Sequence, residues 1–463
     1  MTTVKQHDPI PTAPGALPLL GHALPLLRDP LGFLASLPAR GELVQIGIGP
    51  QRVVMAFSPE LIRQILLDDR TFDKSGPLFD QAREILGDGL VTCPHARHRG
   101  QRRMIQPAFH PTRLTAYAPV MTERISSVTD AWRNGQSIDV LSQMVALTSR
   151  VMLTTMFGTA LGAAQTAQAM DDFTVLFSGL YKRVLQPAWL RRLPHPVNRR
   201  FHRANARLRA TVATLVAEHR THDTPPAGRR QDGTEHDSNL LSMLLAARDT
   251  GTDGRGLTAV ELADETVTFF LGGIETTAAH LAWTLHLLAQ HPDIEHRLHT
   301  EVDTVLAGRP PAPQDLPRLE LTGWILTETL RLYPPAWLLN RTATADTHLA
   351  EHLIPAGTTI AFSPYLIQRH PGLYPDPERF DPDRWRTPSS RRDAYLPFGG
   401  GARKCIGDAF ALTEATLALA HIAAHWQLRP TPGARARTQV RATLRPQGLR
   451  MQTVVRDDRP RRT

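Results

Sequence analysis

The run 258–290 constrains this chain more than any other. It is largely apolar, it opens on a capping-box pair, Thr258 with Glu261, and it stops at His291-Pro292, where proline disfavours a further turn. At 1.5 Å per residue such a helix spans roughly 45–50 Å, enough to cross a whole domain. In its middle stand Gly272 and Gly273, each costing about 1 kcal/mol relative to alanine, followed at once by Ile274-Glu275-Thr276-Thr277. Close helix packing is one reason for a chain to accept that cost. The other is a kink or widened turn that sets an acid and an alcohol, Glu275 and Thr276, against a bound reactant.

A second stretch places one of only two cysteines in a glycine-rich loop, Phe398-Gly399-Gly400-Gly401-Ala402-Arg403-Lys404-Cys405-Ile406-Gly407, opening onto an apolar helical pattern. A thiolate there is stabilised by the helix N-terminus and by backbone N–H groups. Glycines, lacking Cβ, let the backbone approach a flat ligand and take positive φ. A buried structural cysteine behind a flexible turn is the alternative for any lone Cys. The pattern F-x-x-G-x-R-x-C-x-G resembles, without a departure, the haem-binding signature of the cytochrome P450 superfamily of haem-thiolate monooxygenases. The resemblance implies a mainly α fold with small β-sheets, built as one large haem domain over 1–463. It also implies haem b ligated by Cys405, and insertion of oxygen from O2 into a C–H bond. Phe398 is expected over the ring edge near the sulfur, Gly407 at the close approach of the backbone, and Arg403 on a haem propionate.

The same resemblance gives roles to upstream motifs. Gly272-Gly273-Ile274-Glu275-Thr276 matches (A/G)-G-x-(D/E)-T, which makes Thr276 the oxygen-side alcohol and Glu275 the neighbouring acid of a proton relay. Glu328 and Arg331 share a helix face at i, i+3. Alone, such a pair is usually a solvated bridge worth little. Here Leu332-Tyr333-Pro334-Pro335 ends the helix and Phe380-Asp381-Pro382-Asp383-Arg384-Trp385 follows, so the family's buried triad corresponds to Glu328, Arg331 and Arg384, a structural device that steadies the cysteine loop. His98 and Arg102 match H-x-x-x-R, and Arg341 lies in Leu339-Asn340-Arg341-Thr342; all three are expected on propionates, with the choice among the arginines of 99–103 left open.

Composition excludes several classes. The 463 residues are 41% hydrophobic, ample for a core, and no internal repeat or long low-complexity linker divides them. The 1–40 segment is proline-rich, and its apolar stretch is broken by Pro18, Gly21, His22 and Pro25, far short of the ~20 residues of a membrane span. No signal peptide or anchor is read there, so a cytoplasmic bacterial protein is expected, as a monomer. Cys93 and Cys405 cannot form a disulfide framework if one is a ligand. The net charge of +9 is carried by arginine, lysine occurring only at Lys5, Lys74, Lys182 and Lys404. That is a compositional bias, not a nucleic-acid footprint. Basic charge suits an acidic ferredoxin, and 406–463 is too short for a flavin reductase, so electrons are expected from NADPH through ferredoxin reductase and ferredoxin.

Alternation predicts strands at 43–48 and 52–55 joined by Gly49-Pro50, then helices from 59 to 290, strands again at 353–360 and, in the tail, at 438–440 and 451–455. The polar stretch 222–237 is expected as a mobile surface loop between helices. Phe269, Phe270 and Leu271, with Trp337, Leu338 and Leu339, are expected around the substrate, although core packing reads each phenylalanine as well. Few charges other than Glu275 point to this cavity, which favours a lipophilic substrate: a terpene, a fatty acyl chain or a polyketide. Pro14-Gly15-Ala16-Leu17-Pro18-Leu19-Leu20-Gly21-His22 and the stretch from Arg102 through Met104, Pro107 and Phe109 resemble streptomycete sesquiterpene oxidases of the pentalenene-oxidising type. That resemblance implies oxidation of one methyl group to alcohol and then aldehyde in terpenoid antibiotic biosynthesis. Peroxide-using haem-thiolate enzymes and haem sensors or carriers are the rival classes. The Glu275-Thr276 pair argues for turnover with O2.

Overall fold

The alternation near the start of the chain folds as an antiparallel ladder: β1 (Leu43–Ile48) pairs with β2 (Gln51–Ala56) across a turn in which Gly49 takes φ +58°. In this computed structural model the described residues are 9–158, 195–222, 239–251, 254–387 and 394–456, with a discontinuous part of 162–193. They group into two units, one of 1–80 with 330–405 and one of 81–329 with 406–463.

In the first unit β2 runs parallel to β8 (Thr359–Phe362), β8 pairs antiparallel with β5 (Leu339–Ala343), and β5 pairs with β3 (Phe72–Asp73), giving the order β1-β2-β8-β5-β3. Helix α1 (Pro59–Leu67) covers this sheet. Its Leu61, Ile62, Ile65 and Leu66 recur at the helical period and bury with Leu43, Val54, Ile360 and Phe362. Ser58 caps its first turn. The single strand expected over 353–360 is two: β7 (His352–Ile354) closes a hairpin with β6 (Thr347–Leu349), and only after a turn at Pro355-Ala356-Gly357 does β8 begin. The cause is local, since Pro355 has no N–H for a ladder and Gly357 sits at φ +82°.

The second unit is mainly helical, with α2 (His95–Ile105), α3 (Pro111–Thr129), α4 (Val140–Phe157), α5 (Pro196–His222), α6 (Ala259–Gln290) and α7 (Pro292–Leu306). Helix α8 (Glu320–Leu332) leads the chain back into the first unit, and α9 (Asp408–His425) follows the cysteine loop. The expected long helix is α6, and its capping box forms: Glu261 N donates to Thr258 Oγ1 at 3.2 Å and Thr258 N to Glu261 Oε2 at 2.9 Å. It is α-helical throughout, with no change of helix type at the glycine pair, and packs against α4, α5 and α9. Among the described residues α4 alone is long and apolar enough to cross a membrane; 61% of it is buried, and it packs on α6 and α3. The tail forms the expected strands. β12 (Arg450–Val455) lies between β4 (Ser137–Asp139) and β9 (Trp426–Pro430), and β10 (Arg437–Val440) pairs with β11 (Leu444–Gln447). The expected loop 222–237 lies, beyond His222, outside the described residues.

Candidate active site

The cysteine loop of the first unit is a set of backbone bonds that glycine makes possible. Gly399 and Gly401 take φ +68° and +64°, and a Cβ on Gly401 would overlap the Leu66 carbonyl of α1. Gly399 N donates to Leu396 O at 3.0 Å, Lys404 N to Gly401 O at 3.1 Å and Cys405 N to Phe398 O at 2.9 Å. Cys405 is thereby held exposed at the loop's end, whereas Cys93 is buried in the second unit with its thiol against Leu90 O.

Behind the loop stands a residue that sequence reasoning missed. Gln368 is fully buried; its Nε2 donates to Leu330 O at 3.0 Å and Arg331 O at 2.9 Å, and its Oε1 accepts from Leu396 N at 2.8 Å. It ties the end of α8 to the entrance of the cysteine loop. Arg331, also fully buried, donates to the carbonyls of Gln368 (2.9 Å), Pro377 (2.6 Å) and Arg379 (3.1 Å). Glu328 is equally buried on the same helix, and Arg384, half-buried, donates to Asp376 O at 2.8 Å. Arg331 is thus bonded to three peptide carbonyls of the segment 368–379.

Arg403 and Arg341 are both buried in this unit. Arg403 pairs with Asp73 at 2.6 Å and lies 3.9 Å from Asp69, two carboxylates that sequence reasoning did not find. Arg341 donates to Asn340 O at 2.7 Å. Burial, and then the charge of Arg403, pull the Arg341 guanidinium down to about 10, against the opposing pull of Asp73 and Asp69. A buried cation held down in this way fits an additional anion.

In the second unit the two glycines of α6 have different surroundings. A Cβ on Gly273 would overlap Met152 Cε of α4, so Gly273 serves helix packing; one on Gly272 would meet nothing within 4 Å, although the helix is buried along most of its length. Thr276 Oγ1 donates back to Gly272 O at 2.5 Å. Glu275 accepts from Thr443 Oγ1 at 2.5 Å and Arg445 Nη1 at 3.0 Å, both at the C-terminal hairpin. Burial pushes its carboxyl above the usual range and outweighs those two partners.

The remaining predicted residues separate. His98 is buried and Arg102 half-buried, one turn apart on α2. Arg103 is committed to Asp249 at 2.6 Å and Arg97 to Asp88 at 2.6 Å, which leaves neither available for an outside anion. Phe269 packs edge-on to Phe109 (5.2 Å between centroids) and Phe270 on Phe157 (5.6 Å), which is the core reading. Leu271 and Trp337 are buried as well, while Leu338 is 37% exposed.

The family model described as Cytochrome P450 matches residues 11–452. The chain is a cytochrome P450. This P450 is 46% identical to cyclooctat-9-en-7-ol 5-monooxygenase of Streptomyces melanosporofaciens, over 91% of this chain and 90% of that protein. It is 44% identical to pentalenene oxygenase of Streptomyces avermitilis, over 96% and 97%. Its fold superposes on the crystal structure of the cytochrome P450DA heme domain with a TM-score of 0.85 at 26% identity, covering 97% of this chain and 98% of that one. It is thus a cytochrome P450 monooxygenase with the P450 fold, and membership brings haem iron, a small-molecule substrate and a redox partner. The residues fit that cofactor. Within the first unit an exposed Cys405 ends a glycine cradle, and Arg341 is a buried cation whose guanidinium burial and Arg403 hold below its usual range.

Proposed function

We propose that this P450 oxidises a cyclic terpene, with a sesquiterpene methyl group taken to alcohol and then aldehyde as the specific reaction, in terpenoid antibiotic biosynthesis. The observation that carries the reading is identity of 44–46% over more than nine-tenths of the chain to proteins named for cyclooctat-9-en-7-ol and pentalenene. Cys405 would hold the iron of haem b through its thiolate, with Phe398 and Gly407 beside it, and His98, Arg102, Arg341 and Arg403 would hold the propionates. Bound haem supplies the activation of O2. The protein's own part is proton handling. Thr276 spends its hydroxyl proton on Gly272 O and so presents acceptor lone pairs, and Glu275, whose carboxyl burial favours in the protonated form, is the proton store steadied by Thr443 and Arg445. Leu338, partly exposed, is a proposed contact of an apolar substrate. Electrons are proposed to come from NADPH through ferredoxin reductase and ferredoxin, in the bacterial cytoplasm.

The test is product analysis with purified enzyme, cyclic terpenes, NADPH, ferredoxin and ferredoxin reductase. Oxidised terpene is expected only with the full chain of electron carriers. Thr276→Ala should retain haem yet release much of the consumed NADPH as hydrogen peroxide. Turnover of fatty acids but no terpene would overturn the substrate class; wild-type coupling in Thr276→Ala would overturn the proton role.

A further inference from the structure

The stretch that leaves α1 and enters β3 carries two carboxylates, Asp69 and Asp73, and the fold brings both to the guanidinium of Arg403 in the cysteine loop. Asp73 lies on β3, where the ladder pairs it with Thr342 of β5, the neighbour of Arg341. Its Oδ1 accepts from Arg403 Nη2 at 2.6 Å and from Lys74 N at 2.7 Å. The side chains of Arg403 and Asp73 are 1% and 7% exposed, and that of Asp69 is 16% exposed. Arg341 lies within electrostatic range of all three. Burial first and Arg403 next lower its guanidinium, and Asp73 and Asp69 oppose them.

Two guanidiniums and two carboxylates cancel one another in this cluster. A buried ion pair is a weak device for stability, because each charge loses hydration that its partner restores only in part. Asp73 is also a poor choice for anchoring alone. An arginine kept to hold an incoming anion needs its fork of donors free, and Asp73 takes one of them and adds negative charge where more is to arrive. What a buried carboxylate does supply is a fixed negative charge in a site of low dielectric, where salt screens it little.

We infer that Asp73 sets the reduction potential of the haem iron, its buried charge keeping the ferric state favoured. The inference rests on the reading above, in which Cys405 holds the iron and Arg403 and Arg341 hold propionates. One electron entering at the iron adds one negative charge, and a carboxylate fixed beside the propionate cations opposes it. Asp73 is a positioning residue: it acts through Arg403, whose fork it orients and whose charge it offsets. Asp69, 3.9 Å from the same guanidinium and more exposed, acts in the same direction more weakly. The consequence lies in the electron supply, since the redox partner must be a stronger reductant than the same haem site would need without this carboxylate.

The experiment is a spectroelectrochemical titration of the haem-loaded enzyme without substrate, the midpoint potential being read from the Soret band. Asp73→Asn keeps the size of the side chain and an oxygen to accept from Arg403 and Lys74 N, but removes the charge. Its equilibrium constant for reduction should rise about tenfold, a shift of about +59 mV for one electron. Asp73→Glu, which keeps the charge, should stay close to the parent, and Asp69→Asn should move in the same direction as Asp73→Asn by less. Haem content and the thiolate-type Soret band of the reduced carbon monoxide complex are checked in each. A potential unchanged or lowered in Asp73→Asn, or equal shifts in Asp73→Asn and Asp73→Glu, would overturn the inference and leave the haem reading standing. If Asp73→Asn does not load haem, Asp69→Asn decides, and an unchanged potential there overturns the inference. Absence of the thiolate-type band in the parent itself would bring down the haem reading and the inference with it.

Discussion

Replacing Gln368 by methionine keeps the volume and length of the side chain but removes every polar atom that spans α8 and the cysteine loop. Three hydrogen bonds disappear, those to Leu330 O and Arg331 O and the one from Leu396 N, and all three main-chain groups belong to buried backbone around a fully buried residue. At about 1 kcal/mol net for each, and more wherever a group is stranded without water, Gln368→Met should cost about 3 kcal/mol. An unfolding entropy of about 2 cal/mol/K per residue makes that roughly a 3 °C fall in melting temperature for a chain of this length. The effect should also be local, because Leu396 N anchors the strand of chain that enters the thiolate loop and Gly399 N bonds back to Leu396 O. The reduced carbon monoxide complex of the variant should therefore show a smaller fraction of the red-shifted, thiolate-type Soret band at equal haem loading. A variant that melts within 1 °C of the parent, with an unchanged spectrum, would refute the strut.

Cys405→Ala should abolish the red-shifted Soret band of the reduced carbon monoxide complex, while Cys93→Ala should leave it intact; the reverse pattern would sink the ligand assignment. Gly273→Ala must displace Met152 and should lower the melting temperature, whereas Gly272→Ala meets no atom and should fold as well as or better than the parent by about 1 kcal/mol of helix propensity, yet lose product formation. Equal stability of the two variants would contradict that division. Burial, and then the charges of Asp264 and Glu261, raise the Glu265 carboxyl from 4.5 to about 8 against the lowering bond from Leu90 N. A raised folded value means that its contribution is fully present below about pH 4.5 and is lost as pH rises through 8. The stability difference between Glu265→Gln and the parent should thus move in favour of the variant as pH rises from 5 to 9, and identical pH slopes would refute it.

What the sequence made legible were features whose partners lie a few residues apart. The capping box needs only Thr258 and Glu261, the glycine cradle only a run of positive-φ positions before Cys405, and the α6 boundary only His291-Pro292. What it hid were contacts closed across long loops. Asp73 meets Arg403 from 330 positions away, Thr443 meets Glu275 from 168, and Gln368 reaches the carbonyls of α8 from 37 and 38. No periodicity marks such partners, since each is a single polar residue in an otherwise ordinary segment. The same limit explains the glycine pair: both residues read identically in one dimension, and only in the fold does Met152 stand beside one and nothing within 4 Å beside the other. It also explains why the basic stretch 98–103, one patch in one dimension, separates in the fold: Arg103 pairs with Asp249, and Arg97 just before the stretch pairs with Asp88. Charge in a sequence is a sum, and function depends on which partner the fold gives to each of its members.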